Sequence, residues 1–319
     1  MNKLVQILND GQPHDGDTLG SMLGISRAAI WKMIKKLKEQ GVMIASTKGK
    51  GYQLATPLFL LDENRIKQNV DPAIIDIICF ESITSTNDYL KIAPKKAKTR
   101  LLVCLSEEQT AGRGRLGRQW ASPFGSNLYL SCRYSFQQDI SELSGLSLVV
   151  GIALVTALRA LGFYDISLKW PNDLLWQGKK LAGILIEMRA EAHGISEVII
   201  GIGLNVNAAP DVAQTVKPVT SLREIHNKLC DRTELAVQLI RELLIDLILF
   251  EAKGWSPFNT QFAQLDYLAG KNIVMQQGNQ QVAGVASGVD ERGYLLLQDE
   301  KGQMRAFSSG EASVDKQSY

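Results

Sequence analysis

Apolar residues fall at helical spacing in three short blocks at the start of the chain. Leu4, Ile7 and Leu8 share one face of a helix predicted over 3–8. A Gly- and Asp-rich turn spans 9–16, and a second short helix is predicted over 18–23. Gly24-Ile25 makes a tight break. Ser26 then supplies an N-cap for a helix over 27–40, with Ile30, Ile34 and Leu37 at i, i+4, i+7 and Gly41 closing it. After Gly41 the pattern changes, and 43–54 reads as a β-hairpin whose tip is Lys48-Gly49-Lys50-Gly51. Helix, turn, helix and hairpin in this order predict a winged helix-turn-helix. Pro57 blocks helix continuation and places a domain boundary near 56–62.

From about residue 63 short apolar runs predict strands over 74–80, 101–105, 128–134, 166–170, 181–188 and 198–205. Helical patterns over 85–92, 141–161 and 232–251 lie between them. Strands and helices mixed in this way predict an α/β or α+β domain with a largely antiparallel sheet.

A chain of 319 residues with 45% hydrophobic and 21% charged positions has room for two or three domains and a real core. Residues 1–10 hold no long apolar run, so no signal peptide is expected. The longest apolar stretch, 243–250, is far short of a bilayer span, so no membrane partner is expected. Cys79, Cys104, Cys132 and Cys230 are scattered without a C-x-x-C pair, which predicts reduced packing residues and a cytoplasmic setting. His14, His193 and His226 have no partner at ligand spacing, which argues against zinc.

The net charge of +2 matters through its location. Residues 26–50 carry Arg27, Lys32, Lys35, Lys36, Lys38, Lys48 and Lys50 against one acid, Glu39. A local basic stripe on a winged helix is the footprint of DNA. Ser26, Arg27, Lys32, Lys35 and Lys36 at the start of and along the helix over 27–40, with Lys48 and Lys50 on the wing, are the candidate DNA contacts. Trp31 has two open placements: packed against the first helix, or at the DNA surface.

Three segments carry chemistry. Gly112-Arg113-Gly114-Arg115-Leu116-Gly117-Arg118 contains G-x-G-x-x-G, but no helix opens at the third glycine, which excludes a dinucleotide crevice. The absence of Gly-Lys-Ser/Thr excludes a P-loop. Three glycines permit close approach and mobility, and three arginines offer forks for phosphate oxygens. Lys169-Trp170-Pro171-Asn172-Asp173 reads as a strand ending in a turn, with a second strand starting at Lys179-Lys180. A lysine there would let two anionic reactants approach each other, and Asp173 is open to a metal, a lysine or a ribose hydroxyl. Gly201-Ile202-Gly203-Leu204-Asn205-Val206-Asn207 implies another backbone or a ligand close by.

Taken together these motifs resemble the biotin–protein ligases of the bifunctional class that also represses the biotin operon. The resemblance covers essentially the whole chain. It rests on the Gly-Arg segment, Lys169-Trp170-Pro171-Asn172-Asp173, Lys180-Leu181-Ala182-Gly183-Ile184, Ser85-Thr86-Asn87 and Gly310-Glu311. It implies three domains: a winged helix over 1–60, a class II synthetase-like ligase domain over 63–268 and an SH3-like β-barrel over 270–319. Strands around Ile273, Val282, Leu295 and Met304, with turns at Gly278, Gly288, Gly293 and Gly302, fit the last. By the same resemblance Ser85, Thr86, Asn87, Gln109, Arg113, Gly114, Arg115 and Lys180 surround biotin. Gly112, Trp120, Asn172, Asp173 and Asn205 lie on the nucleotide side. Arg113, Arg115 and Lys180 are the implied catalytic cations. ATP, biotin and Mg²⁺ are the implied small molecules; the metal, on the side of Asn172 and Asp173, has no dedicated protein ligands, Asp173 being the candidate. The biotin carboxyl carrier protein, operator DNA and a second copy of the chain are the implied partners. Val314-Asp315 departs from the family, which usually has a basic residue there. A ligase with a non-repressing winged helix, a non-catalytic sensor and a lipoate or octanoate ligase remain alternatives.

Overall fold

The computed structural model describes residues 2–47, 49–94, 99–190, 196–210 and 217–315. Lys48 and His193 lie outside the described residues. The first unit runs α1 (Asn2–Leu8), α2 (Gly16–Leu23), α3 (Arg27–Glu39), β1 (Ile44–Thr47) and β2 (Gly51–Leu54). Asp15 accepts hydrogen bonds from the Asp17 and Thr18 amides, so α2 starts two residues before the expected 18. Gly24, at φ 67°, ends it in the left-handed region. Ser26 caps α3 as expected, accepting from the Ala29 amide at 3.2 Å. Ile30, Ile34 and Leu37 pack with Leu4, Leu8, Leu19, Ile44 and Leu54.

Phe124, nearly seventy residues beyond the wing, also belongs to this core and is 2% exposed. The intervening connector is held rather than slack. Asn9 exchanges two hydrogen bonds with the Leu58 backbone. The buried Arg232 donates to the Phe59 carbonyl and to Glu107, and Glu107 accepts from the Leu61 amide.

The central unit opens with α4 (Glu63–Gln68) and continues β3 (Ile75–Phe80), α5 (Thr86–Ile92), β4 (Leu101–Ser106), β5 (Leu128–Phe136) and α6 (Leu146–Ala160). Then come β6 (Ile166–Lys169), β7 (Asp173–Trp176), β8 (Lys179–Ala190), β9 (Ser196–Leu204), α7 (Leu222–His226), α8 (Arg232–Lys253) and α9 (Asn259–Leu265). Seven strands form one sheet in the order β3-β4-β5-β9-β8-β7-β6. Only β3 and β4 pair in parallel; the other neighbours are antiparallel. Period-2 alternation sends Leu101, Val103 and Leu105 of β4 to the face covered by α6 and α8, and Leu102 and Cys104 to the face covered by α5.

Three expectations are corrected here. Residues 141–161 are not one helix: Asp139 caps a 3-10 turn over Ile140–Glu142, and Gly145, at φ 82°, forces a break before α6. Trp170-Pro171-Asn172 does not lead straight to the lysine strand. Asp173 begins the four-residue β7, so two hairpins stand where one turn was expected. The short helices α4, α7 and α9 have no counterpart in the sequence pattern.

The last unit holds β10 (Asn272–Gln277), β11 (Gln280–Val289), β12 (Leu295–Asp299), β13 (Met304–Phe307) and β14 (Glu311–Val314). They make one antiparallel sheet in the order β13-β12-β11-β10-β14, with an irregularity between Ala286 and Val289. Four strands were expected; the fifth, β14, is built from the Gly310-Glu311 motif itself. No described helix is long and apolar enough to cross a membrane.

Candidate active site and recognition helix

On the α5 face of the large sheet lies a cavity of about 900 Å³. Its floor comes from β5, β8 and β9, which present Ser131, Gly183, Gly201 and Gly203 there beside the larger Leu185. The two β9 glycines line the cavity and seat side chains there, rather than a passing backbone. A Cβ on Gly201 would stand 2.3 Å from Asn87 Oδ1, and one on Gly203 would stand 2.3 Å from the Trp120 ring.

Ser85 caps α5 and accepts from the Asp88 amide at 3.4 Å, which aims the helix start at the cavity. Ser85, Thr86 and Asn87 are all nearly fully buried. Buried polar atoms must find partners, and these do. Thr86 donates its amide and hydroxyl to Gln109 Oε1 at 2.9 and 3.0 Å. Ser131 Oγ lies 2.6 Å from both Thr86 Oγ1 and Asn87 Oδ1. Gln109 Nε2 continues the row to Ser122 Oγ at 3.1 Å.

The three arginines of the glycine loop have different surroundings. Arg113 is bound to Asp88 and Glu187, both at 2.7 Å, so it is not a free fork for phosphate. Burial alone would raise the Glu187 carboxyl, but hydrogen bonds from Lys91, Asn87 and Arg113 hold it below its ordinary value. Arg118 pairs with Glu311 of β14 at 2.5 Å. Arg115 donates to two neutral oxygens, Asn172 Oδ1 at 3.0 Å and the Gly310 carbonyl at 3.2 Å. Its charge therefore has no carboxylate in direct contact, and burial lowers its pKa. Gly114 lines the cavity, whereas Gly112 is packed behind it, where a Cβ would meet the Trp120 carbonyl at 2.5 Å. Leu116, at φ 54° and 74% exposed, forms the loop's tip.

The β6–β7–β8 hairpins supply the opposite wall. Asn172 donates to the Ile184 carbonyl at 2.7 Å, fixing its oxygen toward Arg115. Asp173 accepts from Lys180 Nζ at 2.6 Å, and that ammonium sits 5.5 Å from the Trp120 ring centroid. Of the three expected partners for Asp173, the structure shows the lysine. Asn205 donates to the Thr220 carbonyl at 3.0 Å, while its Oδ1 is buried with no partner among the described residues. Trp120 Nε1 is likewise buried without a partner. One acceptor and one donor on the cavity wall are thus left for a ligand.

Several lining residues had no individual place in the site from the sequence, though all but Lys217 stand in its motifs. Lys169 is buried deeply enough that its ammonium falls to about 8, with Lys217 and Lys180 adding repulsion and Asp173 and Glu311 opposing it. Lys217, Arg118 and Glu311 also line the cavity. Lys169 was visible as the first letter of its motif. Lys217 carries no sequence signal. In all, six cationic side chains and two carboxylates among the described residues face the cavity. The excess charge matches a polyanionic ligand with a carboxylate reactant. No cluster of three or more His, Cys, Asp or Glu side chains is found among the described residues.

On α3 the candidate DNA contacts divide. Ser26 is engaged in capping. Arg27 pairs with Asp17 at 3.1 Å on the surface, and Lys35 lies 3.7 Å from Glu39. Lys32 and Lys50 are exposed. Lys36, still half exposed, pairs with Glu81 at 2.6 Å, and Gln40 bonds Glu108 at 3.0 Å, so this edge of the helix meets the central unit.

A deep cationic cavity on an antiparallel sheet, beside a basic winged helix, defines a ligand-binding α/β protein with a nucleic-acid module. Comparison with known proteins narrows this. Residues 79–205 match the Biotin/lipoate A/B protein ligase family, residues 1–53 an HTH domain and residues 269–315 the biotin protein ligase C terminal domain. The bifunctional ligase/repressor BirA of Escherichia coli is 39% identical over 98% of this chain and 96% of that protein. The biotin–[acetyl-CoA-carboxylase] ligase of Mycobacterium tuberculosis is 36% identical over 71% of this chain and 84% of that protein. The structure of the Aquifex aeolicus biotin protein ligase in complex with biotin and ATP superposes with a TM-score of 0.65 at 29% identity, covering 75% of this chain and 98% of that one. The chain belongs to the biotin protein ligases, in their bifunctional ligase/repressor group.

Proposed function

We propose that this chain is an ATP-dependent biotin–protein ligase that forms biotinyl-5'-AMP, transfers biotin to a lysine of the biotin carboxyl carrier protein, and represses biotin synthesis with the adenylate as corepressor. The observation that carries the reading is the single cavity that gathers Arg115, Lys169 and Lys180 opposite the buried Ser85-Thr86-Asn87 row. Cations on one wall and neutral hydrogen-bonding groups on the other suit a substrate with a polar uncharged head and a carboxylate.

In this reading Ser85, Thr86, Asn87 and Gln109 hold biotin's ring system, with Gly114 leaving room above it. Arg113 acts through its carboxylate partners, keeping α5 and the loop together. The biotin carboxylate attacks the α-phosphorus of ATP; the bond to the bridging oxygen breaks and pyrophosphate leaves. Lys180 and Arg115 offset the charge that builds up, so catalysis is mainly positioning and electrostatics. Asn172 orients Arg115, and Asp173 orients Lys180. Trp120 Nε1 and Asn205 Oδ1 offer the free donor and acceptor to the nucleotide, with Gly112 shaping the loop behind them. The neutral amine of an acceptor lysine then attacks the acyl carbon, and AMP leaves. Mg²⁺ would arrive with the ATP phosphates. Asp173 is committed to Lys180 and no protein cage is present among the described residues, so no step is assigned to the metal.

The DNA arm of the proposal uses Arg27, Lys32, Lys35 and Lys50 as phosphate contacts, with Lys48 beside them in sequence. It includes a cytoplasmic setting and a homodimer when the adenylate is bound, placing two winged helices on a two-fold operator. It divides the chain at 1–60, 63–268 and 270–319. ATP–pyrophosphate exchange driven by biotin, with lipoate as control, tests the chemistry. Exchange with biotin alone is expected. Exchange with neither acid would overturn the enzyme reading, and exchange with lipoate alone would reassign the substrate.

A further inference from the structure

A tryptophan ring is seldom left in water on a helix, because it has the most apolar surface to cover. Trp31 is 54% exposed. Helix α3 turns Ile30, Ile34 and Leu37 into the winged-helix core. One flank is drawn to the central unit through Lys36 and Glu81 at 2.6 Å. The other is drawn to β1 through Lys38 and Ser46 at 2.8 Å. Between these flanks lies a face of Ala28, Trp31, Lys32 and Lys35, at i, i+3, i+4 and i+7, all exposed. The Trp31 ring belongs to none of the apolar clusters of the described residues. Its recorded neighbour is the Lys35 ammonium, 5.6 Å from the ring centroid. Of the two placements the sequence left open, the structure selects the surface.

Phosphate contacts need cations and give no reason for an aromatic ring. The major groove has one strongly apolar feature, the thymine methyl group. A flat ring flanked by lysines, on the helix that this motif inserts into that groove, is complementary to it in both charge and surface.

We propose that Trp31 is a sequence-reading residue, its ring lying on thymine methyl groups in the major groove while Lys35 reaches from the ring face to an adjacent phosphate. The proposal rests on the DNA-binding reading above and names the group that supplies discrimination there. Arg27, Lys32, Lys35 and Lys50 remain when the ring is removed, so sequence-independent affinity should survive its loss.

The test is selection from a random duplex library by the full chain with biotin and ATP, followed by affinity measurement on the enriched duplex. The parent is expected to enrich a site containing thymine. Trp31→Ala should bind that duplex about tenfold more weakly and bind a scrambled duplex within about twofold of the parent, with Trp31→Phe keeping most of the difference. Thymine-to-uracil replacement removes only the methyl group. At one or two positions it should weaken the parent about fivefold and leave Trp31→Ala unchanged. An unaltered thermal unfolding profile for Trp31→Ala would show that the module still folds. Uracil without effect on the parent at every position would overturn the proposal on the parent protein alone. So would enrichment of the same site by Trp31→Ala at the parent's affinity. A parent that enriches no sequence would instead overturn the DNA reading beneath it.

Discussion

Lys169 shows how one residue's chemistry is set by what lies above it. Its ammonium is pushed to about 8 from an ordinary 10.5, chiefly by burial and then by Lys217. A lysine with a lowered folded-state pKa binds fewer protons folded than unfolded between those two values. Its cost to stability is therefore full below about 8 and is relieved as pH rises toward 10.5. Ligand phosphates beside it should reverse the shift. ATP binding at about pH 8.5 is thus expected to draw in a proton, and to draw in much less at about pH 7, where Lys169 is already charged. Calorimetry in buffers of different ionisation heat measures that uptake, and Lys169→Met should abolish it. Equal uptake in the variant would place the proton elsewhere. At this scale the sequence was informative about Arg115, Lys180 and Ser85-Thr86-Asn87, because each sits in a compact motif. It was silent about Lys217, and it marked Glu311 only as part of a motif without a place in the cavity, which the two reach from segments nearly 100 residues apart in the chain. It placed Arg113 at the cavity but gave no hint of its partners Asp88 and Glu187, which become neighbours only when α5 and β8 are packed.

Elements carry the next level of control. The long strands announced themselves by alternation, and α5 by its Ser85 cap. What escaped was short: β7 has four residues hidden behind a Trp-Pro-Asn sequence that looks like a turn, and α4, α7 and α9 span five to seven residues. Helices of that length have no stability of their own and take their shape from packing. Strand β9 was recognised, and its glycines were read as admitting a passing backbone or a ligand; both line the cavity. There they seat Asn87 and Trp120. Gly203→Ala would put a methyl group 2.3 Å from the Trp120 ring, a separation that forces the ring away. Removing a strand-interior glycine otherwise favours the fold. The expected outcome is a urea unfolding midpoint at or below the parent's, since displacing a packed ring costs about 1–3 kcal/mol, together with roughly tenfold weaker ATP binding, a loss of about 1.4 kcal/mol. Unchanged ATP affinity would show that Trp120 has no part in holding the nucleotide.

At the scale of the whole molecule, Phe124 joins two functions. It stands four residues after Trp120, whose ring forms part of the ligand cavity, yet its own ring completes the winged-helix core. Gly125, at φ 67°, lies so close to the connector that a Cβ would meet Leu58 Cδ1 at 2.7 Å, and its amide donates to the Glu107 carbonyl at 3.0 Å. Glu107 in turn holds Leu61 and Arg232, while its neighbour Glu108 holds Gln40 at the end of α3. None of this is legible in the sequence, where Gln119-Trp120-Ala121-Ser122-Pro123-Phe124-Gly125 reads as a loop between a glycine segment and a strand. The winged helix therefore borrows part of its core from the segment that lines the ligand cavity. Phe124→Ala should cost about 3–5 kcal/mol, the scale of emptying a buried phenylalanine site. The loss should also be local, because Phe124 belongs to the cluster of Leu4, Leu8 and Leu54 and not to the cluster that holds α6 and α8. Native-state hydrogen exchange resolves this: amides of α1 to α3 should lose protection in the variant, while those of β5 and α6 keep theirs. Uniform loss would mean that the two units unfold as one. No loss in α1 to α3 would mean that the winged helix is complete without Phe124, and that the cavity loop gives its core no support.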